Sequence, residues 1–213
     1  VEYSGAMFKD SAAASGLYIY RGKGLKRSLE AEYDHTKIEY ISGYEYRQND
    51  FTLISSEYSI GKKTRAGLRY TKTTDASGDG MTLILGSTRY GGRGKDSQID
   101  VYASKYDSFS PDIMVYQITP AVGRIVPRGD GSSLYLQTKG YFIYTTKQAG
   151  SGSKDFLSAE QSVTYTKKNI AVSVSGWAGR QMFAVRNDGF VVYNTNELHK
   201  GGYGVSLSYS LPD

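Results

Sequence analysis

Apolar and polar residues take strict turns along most of this chain, and that two-residue period limits its possible folds more than any other feature. Residues 203–211 show it most plainly. Tyr203, Val205, Leu207, Tyr209 and Leu211 are apolar, while Gly204, Ser206, Ser208 and Ser210 are small or weakly polar. Successive side chains of a strand point to opposite faces, so such a segment has one greasy face and one nearly empty face. The pattern recurs in segments of roughly ten residues, among them RSLEAEY, TRAGLRYTK, MTLILGSTRY, SQIDVYASKY and SLYLQTKGYFIYTTK. No stretch carries a convincing helical period, and no run of about 18 apolar residues is available for a membrane-spanning helix.

Turn chemistry separates the segments. DSAAAS, RGKG, RQND, GKKT, TTDASGDG, GGRGKDS and PRGDGSS combine Gly, Asp, Asn, Ser and Pro with basic residues. Lys167-Lys168-Asn169 reads as a tight hairpin turn, and GDGS at 129–132 as a turn rather than a calcium loop. The longest separator, FAVRNDGFVVYNTNELHK, reads as an ordered loop or an extra strand pair turning at Asn187-Asp188-Gly189. The first segment is EYSGAMF, and a break is expected at Asp34-His35-Thr36. Closed single-chain barrels carry even strand numbers, so the expectation is about twelve strands, with ten or fourteen as alternatives. No linker or shift in composition divides residues 1–213, which read as a single domain.

Alternation alone does not say which face meets what. A soluble sandwich hides its apolar face, whereas a membrane barrel turns that face to lipid and its polar face to the lumen. Three features favour the membrane. The polar face is often Gly, Ser or Thr rather than Lys or Glu, as at Thr82, Gly86 and Thr88, or Ser173 and Ser175. The chain holds 20 Tyr, several near segment ends at Tyr20, Tyr70, Tyr90, Tyr106 and Tyr209, where interfacial aromatic girdles lie. Most segments also approach the length a tilted strand needs to cross hydrocarbon. A mean hydropathy of −0.46 is compatible with this, because only alternate residues need be apolar.

In these respects the chain resembles bacterial outer-membrane β-barrel proteins of the small channel type. In that family the last strand carries an assembly signal: a polar residue, a Gly two positions on, then alternating hydrophobic residues. Gly204, Leu207 and Tyr209 match it; Gly202 stands at the polar place, and the chain runs past Tyr209 with Ser210-Leu211-Pro212-Asp213. The resemblance implies an all-β, antiparallel up-and-down transmembrane β-barrel in the bacterial outer membrane. Its expected partners are outer-membrane lipid, the barrel-assembly machinery, and a periplasmic or surface protein. A YaiO-type barrel domain attached to export machinery is one subfamily it is similar to. Tyr203, Val205, Leu207 and Tyr209 would face lipid on the closing strand.

With the apolar face turned outward, Leu29, Ala31 and Tyr33 point to lipid, followed after the expected break by Ile38, Tyr40, Tyr44 and Tyr46. The opposite face then carries Glu30, Glu32, Lys37, Glu39, Glu45, Arg47, Glu57, Arg65, Arg69, Asp100 and Lys139 as a charged lumen lining. Such a lining either fills a narrow barrel with ion pairs or borders a water-filled conduit. The functions it suggests are a channel for small polar solutes or the export pore for a polymer. A closed barrel that docks a partner protein is the alternative.

Catalytic chemistry has little support. His35 and His199 are the only side chains that titrate unperturbed near neutrality, and neither lies in a recognisable nucleophile motif. An outer-membrane enzyme would need one of them. There is no Cys, no His cluster and no HExxH, so no metal centre or cofactor is expected. The net charge of +5 is mild, and no motif points to a nucleic-acid partner.

Overall fold

A computed structural model gives the fold and describes residues 9–23, 26–40, 43–74, 79–107, 112–149, 152–192 and 198–210. The strands are β1 (Lys9–Lys23), β2 (Arg27–Tyr40), β3 (Glu45–Ser59), β4 (Lys62–Thr73), β5 (Gly80–Tyr90), β6 (Lys95–Tyr106) and β7 (Ile113–Pro127). They continue as β8 (Ser132–Ala149), β9 (Ser153–Lys167), β10 (Ile170–Gln181), β11 (Val185–Arg186), β12 (Val191–Val192) and β13 (His199–Tyr209). Eleven of them form one antiparallel up-and-down sheet in the order β1 to β10 and then β13, while β11 and β12 pair only with each other. The fold is therefore the all-β, up-and-down architecture that the alternation implies.

The details differ from the sequence reading at two of the expected boundaries, and a third expectation is not tested. EYSGAMF, expected as the first strand, lies outside the described residues, and β1 and β13 are the sheet edges among those described. DSAAAS is part of β1 rather than a separator. Asp34-His35-Thr36 is no break: β2 runs through it, with Asp34, His35 and Thr36 opposite Asp50, Asn49 and Gln48 of β3. The turn at Lys168-Asn169 is as short as expected, and Lys168 takes the positive φ of 52° that such a turn demands.

One end of the sheet is closed by short turns at Ile60-Gly61, 91–94, 128–131 and Lys168-Asn169. At 128–131 the Ser132 hydroxyl, the Lys167 ammonium and the Ser132 N–H all bond to Asp130, holding its carboxyl down at about 2. The chain leaves β10 at the other end and turns back inward instead of crossing directly to β13. Residues 182–192 make this inner hairpin, and Met182, Phe183 and Ala184 at its start are completely buried. Asn187 and Asp188 both adopt left-handed backbone, which Asn and Asp tolerate better than other side chains. Gly189 follows at φ 107°, where a Cβ would overlap the Ile84 side chain.

The hairpin shows how the sheet is shaped. Its residues meet Tyr18 of β1, Arg69 of β4, Ile84 of β5, Tyr106 of β6, Gln117 of β7, Tyr141 of β8, Glu160 of β9 and Trp177 of β10. A segment this short can touch so many strands only if the sheet is rolled around it. The main core thus lies inside the roll. Met182, Phe183, Ala184, Val185 and Val192 pack with Ile54, Ile84, Tyr102, Tyr106, Ile113, Val115, Ile143 and Phe156 of the wall.

Replacing Phe183 by Ala should cost about 3–5 kcal/mol of stability by leaving a cavity under Tyr106, whereas Val191→Ala on the exposed flank should change little; denaturant unfolding distinguishes them. NMR titration should find Asp130 ionised until the pH falls towards 2. Because its carboxyl is depressed in the fold, the turn's contribution is complete above the ordinary Asp range and disappears only on further acidification.

Candidate functional site

The inner wall and the hairpin are joined by buried charge. Arg65 of β4 is held from two sides, by Asp100 of the wall at 2.5 Å and by Asp188 at the hairpin tip. Gln98 ties the same two carboxylates together, donating to Asp100 at 2.5 Å and to Asp188 at 3.1 Å. Two alternations further along β4, Arg69 pairs with Asp50 at 2.8 Å, bonds Thr52 at 3.0 Å and donates to the Phe190 carbonyl of the hairpin. Asp50 also accepts from the Thr71 hydroxyl at 2.5 Å and from Gln48 at 2.7 Å. Each buried guanidinium therefore meets a carboxylate and a second acceptor, as an ion removed from water requires.

Two further contacts fix the hairpin. Gln117 forms a reciprocal pair with Val185, donating to its carbonyl at 2.6 Å and accepting from its N–H at 2.8 Å. Arg186 pairs with Glu160 and lies between the rings of Trp177, at 5.2 Å, and Tyr141, at 5.5 Å. Tyr141 donates to the same Glu160 at 3.0 Å. The hairpin is thus seated by apolar packing at its base and by ions at its tip.

Between that tip and the short turns lies a cavity of about 530 Å³. Lys63, Arg65, Tyr90, Asp96, Lys139 and Asp188 are among its lining residues, with Gln98 and Gln137. Lys63 stands 5.3 Å from the ring centre of Tyr58. Both signs of charge and several neutral hydrogen-bonding groups face the same space, which suits a polar solute.

The residues expected to line the lumen fall into two sets. Arg65, Arg69 and Asp100 are buried on the inner face, and Glu30, Glu32 and Lys139 share that face by register. Glu30 accepts from the Tyr18 hydroxyl at 2.8 Å. Lys37, Glu39, Glu45, Arg47 and Glu57 lie on the outer face instead. They alternate in phase with Leu29, Tyr33, Phe51 and Leu53: β2 is continuous where a break was expected, and Glu57 follows Phe51 and Leu53 on the outward face of β3. Lys37 there bridges Glu39 at 2.5 Å and Glu45 at 2.9 Å, and Glu45 also meets Arg47. Ile38 and Tyr46, expected outside, pair across the inner face. On the closing strand, Tyr203, Val205, Leu207 and Tyr209 are exposed and continue the outer face of β10, opposite Gly176, Val174, Val172 and Ile170.

Sequence reasoning missed Asp50, Gln98, Gln117, Glu160, Arg186 and Asp188. The Asn187-Asp188-Gly189 turn was legible, but nothing local says that it points inward. His35 sits on the outer face of β2, its Nδ1 2.9 Å from Asn49 Oδ1, while His199 opens β13 opposite Gln181. Among the described residues, no group of three His, Asp or Glu is placed to hold a metal ion.

These features define an antiparallel up-and-down β-barrel fold with an inward hairpin. No protein-family model matches the chain, and no curated protein matches it in sequence. Among solved structures it is similar in fold to the NanC porin, with a TM-score of 0.59 at 12% identity, over 96% of this chain and 97% of that one. OmpT, an outer membrane protein of Vibrio cholerae, aligns with a TM-score of 0.45 at 8% identity, over 93% and 91% of the two chains.

The two buried arginines should respond differently to loss of a partner. Asp50→Ala removes the carboxylate paired with Arg69 and should cost about 3–5 kcal/mol. Asp188→Ala should cost less, because Arg65 keeps Asp100. Unfolding free energies of the two variants check this order.

Proposed function

We propose that this protein is a bacterial outer-membrane β-barrel acting as a channel for small polar solutes, its lumen narrowed by the 182–192 hairpin. The observation that carries the reading is the reversal of faces. The inner wall holds buried Arg65, Arg69, Asp50 and Asp100, while Leu53, Leu68, Leu83, Leu85, Val101 and Ile118 lie exposed on the outside. Register sets these apolar residues side by side: Leu53 faces Leu68, Leu68 faces Leu83, Leu85 faces Val101, and Val101 faces Ile118. A contiguous apolar surface of this kind is unfavourable in water and suits hydrocarbon.

Aromatic residues border that surface. Tyr33, Phe51 and Tyr70 stand in one row towards the end opposite the short turns, and Tyr165 and Tyr209 lie near the turns. These are the places where a girdle would meet the two membrane interfaces. Lipid would then cover the outer face, and barrel-assembly machinery would insert the chain. The hairpin occupies interior space that an exported polymer would need, so it favours small solutes. A YaiO-type assignment rests on the sequence resemblance alone.

The buried apolar seat of the hairpin supports a second reading, a closed barrel that docks a periplasmic or surface partner. Four seated side chains, Met182, Phe183, Val185 and Val192, at about 1.5–3 kcal/mol each, oppose its withdrawal by roughly 6–12 kcal/mol. A solute must therefore pass beside the hairpin rather than replace it. Planar-bilayer recording separates the readings: unitary conductance supports the channel, and an electrically silent, correctly folded barrel leaves the closed reading. The membrane assignment has its own test. Leu83→Arg on the outer face should lower stability in lipid by about 2–4 kcal/mol, measured by denaturant titration of protein refolded into vesicles.

A further inference from the structure

The outer surface is not uniform: a hydrogen-bonded polar pair lies within its apolar band on β8 and β9. On β9 the outward residues run Leu157, Ala159, Gln161, Val163 and Tyr165, so Gln161 is equally far from Leu157 and from Tyr165 at the border. Thr138 of β8 stands directly opposite and donates its hydroxyl to Gln161 Oε1 at 2.6 Å. Both side chains are exposed. Thr138 faces Val122 of β7 on its other side, and within β3 to β7 the outer face carries Leu53, Leu68, Leu83, Val101 and Ile118.

In the outer-membrane reading, on which this inference rests, these groups would face acyl chains that offer no hydrogen bond. The Gln161 amide also donates to the Ser162 carbonyl at 3.2 Å. A primary amide has two N–H donors and two acceptor positions, so among the described residues one donor and one acceptor remain. Leaving them against hydrocarbon is costly. A lipid headgroup cannot reach the middle of the band.

We propose that a second copy of this chain covers this surface, with the two Gln161 amides paired across a twofold axis along the membrane normal. The two residual groups of each amide are mutually complementary: the free N–H of one meets the free acceptor of the other, and a cyclic pair of N–H···O bonds fills both. A twofold axis in that direction keeps both barrels in the same orientation and makes the contact isologous. The surrounding outer face permits close approach, since Gly140, Ala159 and Gly176 lie beside the pair.

The chain contains no cysteine, so an introduced thiol is the only one present. Ala159→Cys, which keeps Gln161 and lies beside it on the same outward face of β9, should give a linked dimer in lipid vesicles with a short thiol-to-thiol crosslinker. Leu83→Cys, elsewhere on the outer face, should stay monomeric. Gln161→Leu should shift the native mass from dimer to monomer while the unheated protein still migrates as a folded barrel on a denaturing gel. A native mass of one chain for the wild-type protein in nanodiscs would overturn the proposal, as would Ala159→Cys that remains uncrosslinked like Leu83→Cys. Free solubility without detergent would remove the outer-membrane reading and this pairing together, whereas a detergent-requiring monomer would remove the pairing alone.

Discussion

A rolled sheet of eleven strands encloses more space than its own side chains can fill, since about eight strands are already enough for a packed interior. The hairpin at 182–192 supplies the missing contents, and much of the inner wall is composed to receive it. Ile54, Ile84, Tyr102, Tyr106, Ile113, Val115, Ile143 and Phe156 would be out of place on a wall that met only water. They form the seat on which Met182, Phe183 and Val185 rest. The strands that provide them are therefore bound to the β10–β13 connection as well as to their neighbours.

Charge completes what packing begins. Arg65 lies between a carboxylate of the wall and one of the hairpin, and Arg69 reaches both Asp50 and the Phe190 carbonyl. Such arrangements contribute little net stability over an apolar pair, but they penalise every alternative placement of the hairpin by leaving a buried ion unpaired. The apolar seat holds the hairpin in, and the arginines determine which of its residues lie where. The cavity beyond the tip follows from this: the hairpin ends at Asp188, and the polar wall continues without it to the short turns.

The sequence was informative wherever a single physical requirement governed it. Alternation located the strands, and turn chemistry located Lys168-Asn169 and the Asn187–Gly189 reversal. It misled at 34–47 for a definable reason. Hydrophobic period reports a face only where the outside is apolar. Past Tyr33 the outer face of β2 turns polar at His35, Lys37 and Glu39, while the inner face carries Ile38, so the pattern reverses although the strand does not. That reversal looked like a break. The inner contacts were illegible for another reason: Arg69 and Phe190 are 121 positions apart, and nothing in either neighbourhood names the other.

The displaced charges have a consequence of their own. Lys37, Glu39, Glu45 and Arg47 sit on the outer face just beyond the row of Tyr33 and Phe51, two positive and two negative groups linked to one another. On the proposed outer-membrane reading, sinking that quartet into hydrocarbon and lifting the aromatic row into water would both be unfavourable, so the border between them would act as a depth gauge for the wall. Because the quartet's charges cancel, its height would be insensitive to the sign of the surrounding headgroups. Salt should leave that height unchanged as well.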